Sequence, residues 1–300
     1  MKQNIESTCN LNELRGLEYQ IENLDSRANL ESSASDSHSV IASFNNKTKQ
    51  SIKHSNNIID SKRDSELARN FKIESKSISI STKSNQDEFK KLKGLYGISD
   101  TNLTPHKTII EQLQKAIEGG LRIFQYRDKH SKDSDIAGLV RELQAICDSN
   151  NVLFVLNDRY ELAIKLGVSG LHLGKDEVMK LTEIRKEFKG IIGISCYDSI
   201  KLAKTFQDMG ANYVAFGAMF ASKTKVNAPP CPLHILEQAK EHIKIPICAI
   251  GGICVSNVSR LNHCDMIAVI SSLWTPSKTD MKDFDFIKDN ARALLAAWKL

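Results

Sequence analysis

From Leu92 onward, short apolar runs of strand length alternate with segments of helical period, and the alternation repeats eight times. Runs that read as strands are Gly94–Ser99, Leu121–Arg127, Val152–Asn157, Gly170–Leu173, Ile191–Ser195, Tyr213–Gly217, Ile245–Gly251 and Met266–Ser271. Between them apolar residues fall three or four apart, as on one face of a helix: Ile109, Leu113 and Ile117, then Ile136, Leu139, Val140, Leu143 and Ile146. Leu162, Ala163 and Leu166 repeat the spacing, as do Leu202, Ala203 and Phe206, and a last helix spans Phe284–Trp298. Strand–helix units of about 20–30 residues predict an α/β fold, a single closed (β/α)8 or TIM barrel. An open doubly wound sheet is the alternative, but no GxGxxG follows the first strand.

Residues 1–90 read differently. Ser, Asn, Lys, Asp and Glu dominate, proline is absent, and large apolar residues are sparse. Such a segment buries too little surface to offset its conformational entropy. The expected organisation is a low-complexity, disordered extension over 1–90 and a catalytic barrel over 91–300. Leu11, Leu14, Leu17 and Ile21 allow one short helix at Leu11–Leu24. Ser77–Ser81 alternates polar with apolar but is too short and serine-rich for a strand.

A formal net charge of +5 with both signs mixed lacks the concentrated basic footprint of a nucleic-acid binder. No run approaches the roughly 20 apolar residues of a membrane span, and the N-terminus lacks the apolar core of a secretory signal. The seven cysteines form neither a CxxC pair nor a Cys/His cluster, so reduced thiols in a cytoplasmic protein are expected. Oligomeric state stays open, a homo-oligomer included.

Ligands of this fold gather at the C-terminal ends of the strands. There the chain carries Gln125-Tyr126-Arg127-Asp128-Lys129, then Asn157-Asp158-Arg159, then His172-Leu173-Gly174-Lys175-Asp176-Glu177. Ser195, Ser222-Lys223-Thr224-Lys225, Gly251-Gly252 and Ser271-Ser272 follow. With a period of two, Gln125, Arg127 and Lys129 point the same way, and two cations with an amide make a cradle for phosphate oxygens. Asn157-Asp158 fits a turn or helix cap on its own. Beside Asp176 and Glu177 it suggests a magnesium site, since Mg²⁺ takes one or two carboxylates with phosphates and water. Gly251-Gly252 admits close backbone approach to a phosphate. His172 reads as a hydrogen-bonded interior residue, and Cys196 has no evident histidine partner.

In this order the motifs resemble the thiamine phosphate synthase family, over about Leu95 to Leu273. The resemblance rests on Gly94–Asp100, Gln125–Lys129, Asn157-Asp158-Arg159, His172-Leu173-Gly174, Gly193-Ile194-Ser195 and Phe220–Lys225. Ala249–Ile253 and Ala268–Ser271 complete it. It implies a Mg²⁺-dependent alkyl transfer, in which an aminopyrimidine methyl diphosphate loses pyrophosphate and a thiazole phosphate nitrogen takes the methylene. The partners implied are thus small phosphorylated pyrimidine and thiazole substrates. By motif position, Gln125, Arg127, Lys129 and Asn157 would hold the pyrimidine diphosphate, with Tyr126 and Asp128 in the same segment. Ser195 and Lys225 would contact the diphosphate, so that Arg127, Lys129, Ser195 and Lys225 carry the catalysis. Asp158 and Glu177 would bind the metal, with Asp176 as the alternative ligand. Ser222 and Thr224 with Gly252, Ile270 and Ser271 would take the thiazole phosphate, and Lys223 and Gly251 would be substrate-binding beside them.

Three departures stand out. Lys175-Asp176-Glu177 replaces the family's Gln-Glu-Asp, Ala221-Ser222 replaces Pro-Thr, and the long extension has no counterpart in the basic family domain. A thiazole tautomerase-like isomerase is the nearest rival, but it needs no diphosphate site. A non-catalytic binder of thiazole or thiamine phosphate is the other.

Overall fold

A computed structural model of the chain describes residues 92–174, 177–221, 230–276 and 283–298. The segment 1–90, with the readings at Leu11–Leu24 and Ser77–Ser81, lies outside the described residues, as do Lys175, Asp176, Ser222, Lys223, Thr224 and Lys225. Eight parallel strands follow one another around a closed barrel. They are β1 (Gly94–Ile98), β2 (Ile123–Tyr126), β3 (Leu153–Asn157), β4 (Gly170–Leu173), β5 (Ile191–Tyr197), β6 (Tyr213–Phe216), β7 (Ile247–Ile250) and β8 (Met266–Val269). Closure is explicit in the register: Tyr96 of β1 pairs with Ile123 of β2 on one side and with Ala268 of β8 on the other.

The helices are α1 (Ile109–Glu118), α2 (Asp133–Ser149), α3 (Tyr160–Leu166), α4 (Leu181–Glu187), α5 (Ile200–Asp208), α6 (His234–His242), α7 (Ser271–Trp274) and α8 (Asp285–Ala297). In α2 the buried residues are Ile136, Val140, Leu143 and Cys147, the stripe expected of a helix lying on a sheet. Ion pairing between Lys115 and Asp285, at 2.7 Å, joins α1 to α8 where the outer ring closes.

Period-two alternation divides the strand residues between two cores. Tyr96, Ile98, Ile123, Leu153, Val155, Tyr213, Cys248 and Met266 fill the barrel. Leu95, Phe124, Tyr126, Phe154, Leu156, Ile192, Ile194 and Phe216 pack outward under the helices. Burying one face against side chains and the other against helices explains why the strands read as unbroken apolar runs.

The connection from β7 to β8 departs from expectation: it carries only the 3-10 turn Val258–Arg260 in place of an α-helix. Local side-chain bonds explain this. Asn257 accepts the Cys254 N–H at 2.8 Å and donates to the Gly252 carbonyl at 2.9 Å, competing with helical pairing. Several strands end a residue or two inside the expected limits, whereas β5 runs on to Tyr197 through a bulge after Ser195. No helix among the described residues is long and apolar enough to cross a membrane.

Candidate active site

Alternation splits the segment after β2. Gln125 is buried inside the barrel, where its amide Nε2 donates to Tyr96 Oη at 2.6 Å. The Arg127 backbone is pinned by its N–H donating to Ser99 Oγ at 2.7 Å, while no hydrogen bond or ion pair of its guanidinium is found among the described residues. Lys129 reaches to 3.6 Å from Asp158 Oδ2. Tyr126 and Asp128, expected beside the substrate, have the opposite parity and enter the wall instead. Tyr126 is buried under the helices with its hydroxyl 2.9 Å from His106 Nε2.

Asp128 is enclosed by its own loop. It accepts the N–H groups of His130 (2.8 Å) and Ser131 (3.0 Å) and the Ser131 hydroxyl (2.7 Å), and its carboxylate meets His106 at 3.0 Å. Burial alone pushes this carboxyl up, but the Ser131 and His130 donors and His106 outweigh it and hold it well below the usual range. Arg159 closes the far side, donating to the carbonyls of Asp128 and Ser131 and pairing with Asp133. The loop presenting Arg127 and Lys129 is therefore braced from within. Asp128→Asn is expected to lower the melting temperature most at neutral pH. The difference should shrink as pH falls below about 4, where the unfolded chain takes up the proton first, and vanish below the folded-state value. Melting curves of both proteins against pH check this; a pH-independent difference would discount the charge.

Asp158 sits at φ 61°, a left-handed backbone that turns its carboxylate back over the strand ends. Its Oδ1 accepts the Gly174 N–H at 3.0 Å and its Oδ2 the Asn157 amide at 2.6 Å. A Cβ on Gly174 would lie 3.2 Å from Asp158 Oδ1 and 3.7 Å from Glu177 Oε2, so the two carboxylates converge over that glycine. Among the described residues no group of three or more His, Cys, Asp or Glu forms a metal cluster.

Inside the barrel, Tyr96 Oη lies 2.8 Å from Tyr213 Oη. Tyr213 Oη lies 3.0 Å from His172 Nδ1, and His172 Nε2 lies 3.0 Å from Ser195 Oγ. Across the rim, Ile250, Gly251, Gly252, Ile270, Ser271 and Ser272 line a small cavity. Gly252 has φ 61°, and a Cβ there would meet the Ala221 carbonyl at 2.3 Å, so the two loops touch backbone to backbone. Ser272 Oγ, in this cavity wall, is buried with no hydrogen-bond partner among the described residues. A larger groove between α3 and α4 is lined by Glu161, Glu183 and Glu187 against the single cation Lys180, a net negative lining unsuited to a diphosphate.

Most of the described candidates fall into three groups, while the Arg127 side chain bonds to none of them and Tyr126 and Asp128 stand in the wall. Lys129, Asn157, Asp158 and Glu177 meet at the ends of β2 to β4, Gln125 and Ser195 join through the interior, and Gly251, Gly252, Ile270 and Ser271 share the β7–β8 cavity. Cys196 is fully buried and desolvation raises its thiol far above the ordinary range, which keeps it protonated. Sequence reasoning passed over Tyr96 and Tyr213; the available signal was Gly193, a glycine in mid-strand where another group approaches closely.

Residues 95–273 match the family model described as thiamine monophosphate synthase. A thiamine-phosphate synthase of Wolinella succinogenes is 45% identical over 211 residues, covering 70% of this chain and 95% of its own length. One from Marinobacter nauticus is 40% identical over 193 residues, covering 63% of this chain and 86% of itself. Among solved structures, thiamine phosphate pyrophosphorylase from Pyrococcus furiosus superposes with a TM-score of 0.56 at 30% identity, covering 68% of this chain and 98% of its own.

Proposed function

The chain belongs to the thiamine monophosphate synthase family, and on that premise we propose how its residues divide the work of making thiamine phosphate. It is a transferase of thiamine biosynthesis. Its substrates are 4-amino-2-methyl-5-hydroxymethylpyrimidine diphosphate and 4-methyl-5-(2-phosphoethyl)thiazole. The bond between the pyrimidine methylene and the diphosphate oxygen breaks, and pyrophosphate leaves with the electron pair. The thiazole nitrogen then bonds to the methylene carbon.

Such a reaction asks for positioning and for neutralisation of leaving-group charge, with little acid–base machinery. Arg127 and Lys129 hold the diphosphate from β2, Asn157 and Ser195 from β3 and β5, and Lys225 from the loop after β6. The observation that carries this reading is Arg127, a half-buried residue just past the end of β2 whose guanidinium has no hydrogen bond or ion pair among the described residues. Tyr126 and Asp128 act indirectly, bracing the loop that presents the two cations. Ser222, Lys223, Thr224, Gly251, Gly252, Ile270 and Ser271 receive the thiazole phosphate. The Ser272 hydroxyl in that cavity, without a hydrogen-bond partner among the described residues, supports an anion there.

Two convergent carboxylates offer hard oxygen donors that suit Mg²⁺ when phosphate oxygens and water complete its shell. Asp158 and Glu177 would hold it, and when bound it would supply positive charge to offset that of the pyrophosphate. Glu177→Gln should raise the Mg²⁺ concentration needed for half-maximal turnover by about tenfold or more, and Asp176→Asn by less. The reverse order would make Asp176 the ligand.

The chemistry belongs to residues 91–300. Five buried free thiols, at Cys147, Cys196, Cys231, Cys248 and Cys264, support a reducing, cytoplasmic setting. Incubation with both substrates and Mg²⁺, following pyrophosphate, is the test: release that depends on the thiazole phosphate is expected. Release without it, or none, would overturn the synthase reading.

A further inference from the structure

The interior chain of hydrogen bonds has a direction. A phenolic hydroxyl has one proton to give. Tyr96 Oη accepts from Gln125 Nε2 at 2.6 Å, and because the phenol is buried its own proton needs an acceptor, which among the described residues is Tyr213 Oη, 2.8 Å away. Having accepted that proton, Tyr213 gives its own to His172 Nδ1 at 3.0 Å. An Nδ1 that accepts leaves a neutral imidazole with its hydrogen on Nε2, facing Ser195 Oγ at 3.0 Å. Ser195 then accepts from histidine and keeps its own proton for something else.

We propose that Gln125, Tyr96, Tyr213, His172 and Ser195 form one polarised relay across the barrel, in which Tyr96, Tyr213 and His172 are positioning residues. At one end the relay aims the Ser195 proton at the diphosphate. At the other it commits the Gln125 amide nitrogen, leaving the carbonyl oxygen to accept from the pyrimidine amino group. This deepens the synthase reading and rests on it.

On the synthase reading the two ends require the same direction. A diphosphate oxygen can only accept, so Ser195 serves it only as a donor, the direction that Gln125 imposes from the opposite wall. Run in reverse, the relay would place lone pairs against the anion. Burial keeps both phenols protonated: Tyr96 and Tyr213 are raised far above the ordinary tyrosine range, desolvation being the largest cause. Tyr213 is held where it must be for this. Its ring meets that of Tyr96 edge-on, 6.1 Å between centroids at 72°, and lies 5.7 Å from the His172 ring at 31°. It crosses β5 at Gly193, where any Cβ would lie 1.8 Å from Tyr213 Cζ.

Two measurements on the full chain test the relay. In ligand-free protein labelled with ¹⁵N-histidine, His172, assigned by its loss in His172→Gln, is expected as the neutral Nε2–H tautomer. An Nδ1–H tautomer or an imidazolium at neutral pH would overturn the proposal. Tyr213→Phe keeps the ring and removes only the relay hydroxyl. It should lower kcat by about tenfold with KM for the thiazole phosphate within about twofold, and add no loss in a Ser195→Ala background. Unchanged kcat, or losses that add, would overturn it. The spectrum needs no substrate, so it separates failure of the relay from failure of the synthase reading, which wild-type pyrophosphate release decides.

Discussion

Lys129→Ala is expected to lose about two to three orders of magnitude in turnover, the effect typical of removing one preorganised donor from a developing anion, while melting almost where the parent does. Both halves follow from where this lysine sits. Its side chain is half exposed, and its one ion pair among the described residues, to Asp158 Oδ2, is long at 3.6 Å. Exposed pairs of this kind contribute about 0–1 kcal/mol to stability. Among the described residues the ammonium group has no closer partner than this carboxylate. The departing pyrophosphate needs that group, because charge that builds on it in the transition state is met by a cation already in place, on a loop braced by Asp128 and Arg159. Single-turnover pyrophosphate release and thermal melts, measured together, check this. Unchanged turnover would remove Lys129 from the mechanism, and a parallel fall in melting temperature would make it structural. Lys129→Arg should recover part of the rate, since the charge is kept while its reach changes.

The same loop shows how far local pattern carries and where it stops. Period-two alternation correctly separates Gln125 and Phe124, one turned into the barrel and the other under the helices. Applied without exception, it also assigns Tyr126 and Asp128 to the outer side. Only the contiguity of the five-residue motif put them beside the substrate. The barrel was legible because each strand is covered on both faces and therefore reads as an apolar run; the missing β7–β8 helix was not, since Asn257 redirects that turn through side-chain bonds that no periodicity registers. Asp158 and Glu177 were legible as acidic residues at adjacent strand ends. Their convergence over Gly174 depends on the left-handed backbone at Asp158, which the sequence does not announce. The contact between Tyr96 and Tyr213 spans 117 residues and exists only after the barrel closes. Local pattern holds no record of it, and tyrosine in a strand is unremarkable by itself.

Gly193→Ala should be a severely damaging single-methyl change in the barrel. The added Cβ would sit 1.8 Å from Cζ, 2.1 Å from Cε1 and 2.3 Å from Oη of Tyr213. No rotation of a flexible tip relieves this. The ring is fully buried, Gly193 and Tyr213 are register partners across β5 and β6, and the hydroxyl is held from both sides by Tyr96 and His172. Displacing the ring costs the overpacking strain of about 1–3 kcal/mol and two hydrogen bonds of about 1 kcal/mol each. For a domain of this size the sum lowers the melting temperature by roughly 10 °C. Turnover should fall with it, because the displaced hydroxyl no longer orients His172 and Ser195. A second substitution separates the two consequences. Tyr213→Leu in the Gly193→Ala background removes the clashing ring and should restore most of the melting temperature, whereas turnover should stay low for want of the hydroxyl. Recovery of both would mean that Tyr213 only fills space. A Gly193→Ala protein that melts with its parent would mean that the ring does not cross β5 at all.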